Sequence, residues 1–126
     1  MGRRTTALTM MLASLGLAAC SPGPERSVPA RGAMLFQQTC AACHGSDGRG
    51  GSAPDLTHLA MDARGTFPSI EVLARMHDGG DAMPAFRDLA LGPTVVVEIE
   101  EGIGTPVPED MLAIWRHLET IQRPDL

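Results

Sequence analysis

Apolar positions change their spacing several times along this chain, and each change marks a predicted element. From Ala7 to Ala19 they form an almost unbroken run of small and aliphatic residues. Ser21 to Arg31 then holds three prolines, a glycine and scattered charge, the composition of a flexible tether. From about Ala30 the spacing becomes helical, with Gly32, Phe36 and Cys40 at i, i+4 and i+8 on one face of a first helix. Gly45, Gly48, Gly50, Gly51 and Pro54 break any period and predict a loop from Gly45 to Leu59. Ser69 is the expected cap of a short helix in which Ile70, Leu73, Ala74 and His77 share a face and which Gly79-Gly80 ends. Thr94 to Glu100 is β-branched and alternating, and with Glu101-Gly102 and Ile103 to Val107 it predicts a hairpin closed by Pro106 and Pro108. Glu109 and Asp110 suit the first turn of a final helix carrying Met111, Ile114, Trp115, Leu118 and Ile121 at helical spacing, stopped by Arg123-Pro124.

With 126 residues and no internal repeat, the chain has room for one small domain. The fold class expected is all-α, with a small hairpin inserted before the C-terminal helix. The division expected is residues 1–19 as a leader, 20–30 as a tether and 31–126 as the domain.

The leader is too short to span a bilayer comfortably, which takes about 20 apolar residues. Arg3 and Arg4 ahead of it complete the pattern of a signal peptide. Leu17-Ala18-Ala19-Cys20 resembles the lipobox of bacterial lipoproteins, which implies that Cys20 is diacylated and becomes the mature N-terminus. The alternative is a free Cys20 thiol or a cleaved, unlipidated form. The protein is thus expected to be exported by the general secretion route, to face the periplasm, and to be lipid-anchored to a bacterial membrane.

Charge narrows the partners. After position 19, eight arginines stand against fifteen acidic residues, a net −7, and the chain has no lysine. That excludes nucleic acid as an expected partner and favours a basic docking face on whatever protein it meets.

Cys40-Ala41-Ala42-Cys43-His44 is the C-x-x-C-H pattern of covalent c-type haem attachment. Two thiols three positions apart reach two vinyl groups on one side of a porphyrin, and the histidine that follows brings an imidazole nitrogen to the iron. A thioredoxin-type dithiol would need a preceding βαβ pattern, which is missing. Half a zinc site would need a second ligand pair, and His58, His77 and His117 are too scattered to supply one. All three cysteines then have covalent roles, and none remains for a disulfide.

At this point the domain resembles the class I c-type cytochromes, small monohaem electron carriers. Gly32-x-x-x-Phe36-x-x-x-Cys40-x-x-Cys43-His44-Gly45 is similar to the family's N-terminal helix, whose glycine and aromatic meet the C-terminal helix. Leu112 and Trp115 stand where the resemblance puts the aliphatic and aromatic partners. Pro54-Asp55-Leu56 resembles the loop whose proline carbonyl accepts a hydrogen bond from the proximal histidine and whose leucine packs on the porphyrin. Met83-Pro84-Ala85-Phe86 resembles the segment whose methionine sulfur is the second axial ligand, and Pro84 disfavours a helical backbone at Met83. Met61 and Met76 lack a following proline. His77, His58 or an open distal position are the alternatives to Met83. The segment from Leu89 to Pro108 departs from the simple family pattern, and a lysine ring around the haem edge is ruled out by composition.

The resemblance implies one covalent haem c with its iron and attachment through Cys40 and Cys43. Axial ligation would come from His44 and Met83, with Pro54 and Leu56 supporting the cofactor. The implied role is a membrane-anchored single-electron carrier, not an enzyme, with redox proteins such as a membrane-bound oxidase, reductase or dehydrogenase as partners and no small-molecule substrate. Two other readings stay open: a ligand-binding or sensor haem protein with an open distal site, and a fixed cytochrome subunit of a larger respiratory oxidoreductase.

Overall fold

The computed structural model of the protein describes residues 28–88 and 92–123. The expected leader, Cys20, most of the tether, Leu89 and Pro124 lie outside the described residues. Helix α1 spans Val28–Thr39, two residues earlier than the spacing predicts, and α2 is the single turn Ala41–His44. The remaining helices are α3 (Leu59–Asp62), α4 (Ser69–Asp78) and α5 (Glu109–Thr120), with a 3₁₀ turn at Phe86–Asp88. Strands β1 (Thr94–Glu100) and β2 (Ile103–Pro108) pair antiparallel as a two-stranded sheet. Among the described residues, then, the architecture is helical with one hairpin before the last helix. No helix there is long and apolar enough to cross a membrane.

The crossing of α1 and α5 organises the core. A Cβ at Gly32 would collide with the Ala113 carbonyl and come within 2.9 Å of the His117 Cβ, so only glycine lets the backbones meet. Phe36, fully buried, lies one turn further along, its ring centroid 5.3 Å from that of His117. Arg31 binds Asp110 and Glu109 at the other end of the same seam. The nearest approach to Gly32 is thus by Ala113 and His117, and His117 also meets Phe36, while Leu112 and Trp115, the expected aliphatic and aromatic partners, border the same core as Phe36. Helical phase sets the close approach: Glu109, Ala113 and His117 recur every four residues on the face toward α1, and Trp115 lies about 200° around the helix from Ala113. Trp115 also lies beside Phe67, at 6.5 Å.

Helix α4 keeps the expected shared face of Ile70, Leu73, Ala74 and His77 and differs from expectation at its cap. Its buried side chains are Val72, Leu73 and Met76, while Ile70, Ala74 and His77 are exposed. Those three still share a face, and with Pro106, Val107 and Met111 they line a shallow groove of about 390 Å³ between α4 and the hairpin. Ser69 does not cap the helix; Pro68 occupies that position, and the Ser69 hydroxyl donates weakly to the Phe67 carbonyl at 3.5 Å. Helix α3 was not predicted, because one turn is too short to establish a period.

The hairpin follows its sequence pattern closely. Thr94 pairs with Pro108, Val96 with Pro106 and Glu98 with Gly104, with an irregularity before Glu100. Val97 and Ile99 turn toward the core, and Val96, Glu98 and Glu100 toward solvent. Pro106, which lacks an N–H, is tolerated in a strand whose far edge is free. The buried core joins Phe36 of α1, Val72, Leu73 and Met76 of α4, Phe86, Val107, and Met111, Ile114, Trp115 and Leu118 of α5.

Candidate functional site

The C-x-x-C-H motif is a single helical turn at the end of α1. The Cys40 amide donates to the Phe36 carbonyl at 2.8 Å, and the Cys43 and His44 amides both donate to the Cys40 carbonyl, at 3.1 and 3.0 Å. Three residues apart on a turn, the two thiols lie on neighbouring parts of one face. Cys40 is half-buried against the core, Cys43 is exposed, and neither is in a disulfide. Burial, and secondarily the neighbouring Cys43, push the Cys40 thiol up to about 11. A redox dithiol needs the opposite, a thiol depressed toward neutrality.

Beyond His44 the chain doubles back. Gly45, with φ 80°, makes the turn, and a side chain there would sit 2.8 Å from the Gly50 carbonyl. The Gly50 amide returns to the His44 carbonyl at 2.8 Å and the Ala53 amide to the Cys43 carbonyl at 3.0 Å. This reversal carries Pro54 to the imidazole, and His44 Nδ1–H donates to the Pro54 carbonyl at 2.8 Å. A carbonyl can only accept, so the proton of the neutral ring sits on Nδ1 and the lone pair on Nε2. Nε2 has no hydrogen-bond partner among the described residues.

Leu56 and Met83 border the same core as Cys40, both half-buried. Gly80 and Met83 exchange two backbone hydrogen bonds, of 3.0 and 2.8 Å, and close a tight turn in which Asp81 takes φ 50°. Met83 thus leaves a fixed turn rather than a helix, with Pro84 behind it. Met76 and Met111 are buried core, 4% and 2% exposed, while Met61 and Met34 lie at the surface. His77 is exposed and paired with Asp78 at 2.8 Å; that hydrogen bond holds the Asp78 carboxyl below the usual carboxylate range. His117 lies at the α1–α5 seam, where burial lowers its pKa.

Sequence reasoning missed the residues that hold the Pro54 loop from behind. Asp55 Oδ1 accepts from the Thr57 amide and hydroxyl at 2.7 and 2.6 Å, and Oδ2 accepts from Arg123 Nη2 at 3.1 Å. The Thr57 hydrogen bonds come first among the causes that hold the Asp55 carboxyl below its ordinary range. Asp55-x-Thr57 is a readable turn signature. The reach of Arg123, 68 residues away, leaves no local signal.

This donor set fits a covalent haem: two unpaired thiols on one turn, an imidazole whose far nitrogen is fixed as an acceptor, and a thioether on a stiff turn beside the same core. The Trp115 indole N–H, buried and without an acceptor among the described residues, leaves that core one donor for a ligand oxygen. A bare metal ion fits poorly, since no group of three or more His, Cys, Asp or Glu gathers there among the described residues.

A family model described as Cytochrome C oxidase, cbb3-type, subunit III matches residues 27–99, more than half of the chain. The match runs from α1 into β1. No curated protein and no solved structure matches the chain.

Proposed function

The chain belongs to the family of cbb3-type cytochrome c oxidase subunit III, a c-type cytochrome family, and from that premise we propose that it is a single-electron carrier whose haem is attached at Cys40 and Cys43 and ligated by His44 and Met83. Membership itself implies a covalently bound haem c with its iron. When bound, that group supplies one reversible ferric–ferrous couple. The observation that carries the assignment is the His44–Pro54 hydrogen bond, because it leaves Nε2 free of proton and partner in a motif that otherwise has no use for a histidine.

Each residue then has a definite task. Cys40 and Cys43 hold the cofactor by thioether bonds, so it stays in place in both oxidation states. Pro54 orients the imidazole and raises its electron donation, which favours ferric iron. Met83 opposes this with a soft sulfur that favours ferrous iron and a higher potential. Leu56 and the Phe36 side of the core exclude water. With His44 and Met83 both holding the iron, the group would offer no position to a substrate, and the protein would transfer electrons without making or breaking bonds and would not by itself be an enzyme.

Anchoring by a lipidated Cys20, with export to the periplasm, belongs to this reading. It rests on the lipobox-like Leu17-Ala18-Ala19-Cys20. An anchor would raise the carrier's effective concentration near membrane-bound redox partners. The family's name favours one further reading, a cytochrome subunit held within a larger respiratory oxidase. Co-purification of an oxidase with the tagged protein supports the fixed subunit, and recovery of a redox-active monomer supports the shuttle.

Extraction with acidified acetone tests the attachment. Haem should stay on the denatured wild-type polypeptide and be lost from the Cys40→Ser, Cys43→Ser double variant. Free haem extracted from the wild type would overturn it.

A further inference from the structure

The two residues that follow the first turn beyond α5 make an unusual number of contacts with one distant loop. Gln122 Nε2 donates to the Leu56 carbonyl at 2.8 Å, and its Oε1 accepts from the Ala60 amide at 3.0 Å. The Arg123 amide donates to the Thr57 carbonyl at 2.8 Å. Its side chain spans the turn below, Nε donating to Thr57 Oγ1 at 2.8 Å and Nη2 to Asp55 Oδ2 at 3.1 Å. All five bonds land within the six residues that follow Pro54. Thr57 is only 2% exposed, so the bonds to it are made by a buried hydroxyl and its backbone.

We propose that Gln122 and Arg123 are positioning residues for the axial imidazole: they clamp the 55–60 segment so that the Pro54 carbonyl stays on His44 Nδ1. The argument is one of stiffness. Loop 45–53 is rich in glycine and exposed over most of its length, and a carbonyl carried by such a loop would sample many orientations. On its upstream side Pro54 is tied by the return bonds to Cys43 and His44, and on its downstream side by the Leu56 amide to the Gly48 carbonyl at 2.7 Å. Residues 122 and 123 add the link from that segment to α5, which is itself locked onto α1, the helix that leads into the motif. The path from Arg123 to His44 is thus hydrogen-bonded or covalent throughout.

The clamp acts through the electron donation of the imidazole. A firm Nδ1–H···O=C bond gives the ring partial imidazolate character and favours ferric iron. A loosened bond favours ferrous iron and raises the potential. Charge alone pushes the other way at Arg123, since removing a cation favours the ferric state, whereas Gln122→Ala changes no charge. The two effects separate on this pair of variants.

The inference rests on His44 as the axial ligand, and the experiment checks that first. In the NMR spectrum of the ferrous holoprotein, a ligated imidazole gives ring-shifted His44 resonances and a protected Nδ1–H. Their absence from the wild type overturns both the ligation and the clamp. With ligation established, hydrogen exchange at His44 Nδ1–H is expected to quicken roughly tenfold or more in Gln122→Ala and Arg123→Ala. Arg123→Lys, which keeps the charge facing Asp55 but cannot span both acceptors, should fall between. Gln122→Ala should also raise the potential. Arg116→Ala, which removes an exposed arginine of α5, should leave exchange at wild-type rates. Exchange unchanged in both clamp variants, whatever their loss of thermal stability, overturns the proposal.

Discussion

His44 donates its Nδ1–H to the carbonyl of Pro54, ten positions downstream, at 2.8 Å. This bond fixes the tautomer, the ring plane and the direction of Nε2, and the glycine-rich reversal after the motif exists to make it. Everything else at the site is arranged around the ring so held: the thiols on the turn before it, Leu56 just after Pro54, and Met83 against the same core.

Met83→Ala should keep covalent haem, lose the sulfur-to-iron charge-transfer band, fall in potential and begin to bind carbon monoxide or azide. Met61→Ala should leave the band in place. Met76→Ala should also keep it, while costing about 2–5 kcal/mol of stability as a core truncation. Absorption spectroscopy with potentiometric titration checks all three; a retained band in Met83→Ala moves the sulfur ligand to another methionine, and a wild type without the band moves the assignment to His77, His58 or an open site.

Gly32→Ala drives a methyl group into the Ala113 carbonyl, where the acceptor is backbone and cannot turn aside. The expected cost is about 1–3 kcal/mol from overpacking, with α1 and α5 forced apart. Urea denaturation of the holoprotein measures it, and an unchanged midpoint would mean that the seam is looser than described.

Stability should fall as pH drops below neutrality because of His117. Burial lowers its pKa in the folded state, so between its ordinary value near 6.5 and that lower value the unfolded chain binds a proton that the folded chain does not. Stability is therefore full above about pH 6.5 and declines on acidification until the folded pKa is passed. Asp55, also depressed, adds a separate loss beginning at more acidic pH, as the unfolded carboxylate takes up its proton. Denaturation midpoints at pH 7.5 and 5.5 should differ less in His117→Gln than in the wild type.

Cys20→Ser should abolish acyl labelling and either release the mature protein into the soluble fraction or block its processing. Wild-type protein recovered wholly soluble, with an unmodified N-terminus, would count against the anchor.

Much of this was legible in the chain because it is local. C-x-x-C-H fits within one helical turn, and Thr94 to Val107 carries its own alternation and its own Glu-Gly turn, so both survive without tertiary information. Phase between helices does not. Leu112 and Trp115 have the residue types expected of partners and border the same core as Phe36, yet the close backbone approach at Gly32 falls on Ala113 and His117, because helical geometry and not residue type decides which positions come nearest. In α4 the Ile70–Ala74 and Val72–Met76 faces are both apolar enough to be buried, and only packing chose between them. Arg123 shows the limit most clearly: a surface-type residue just past a helix became a partner of Thr57 and Asp55 solely by tertiary approach.

The central claim, an electron carrier with both axial positions filled by His44 and Met83, is tested most directly by the optical spectrum of the purified protein, oxidised, reduced, and reduced under carbon monoxide. The expected result is a low-spin six-coordinate c-type spectrum in both states, a sulfur-to-iron band in the oxidised form, and no change on adding carbon monoxide. A high-spin ferrous form that binds carbon monoxide at neutral pH would contradict it and favour a ligand-binding haem protein.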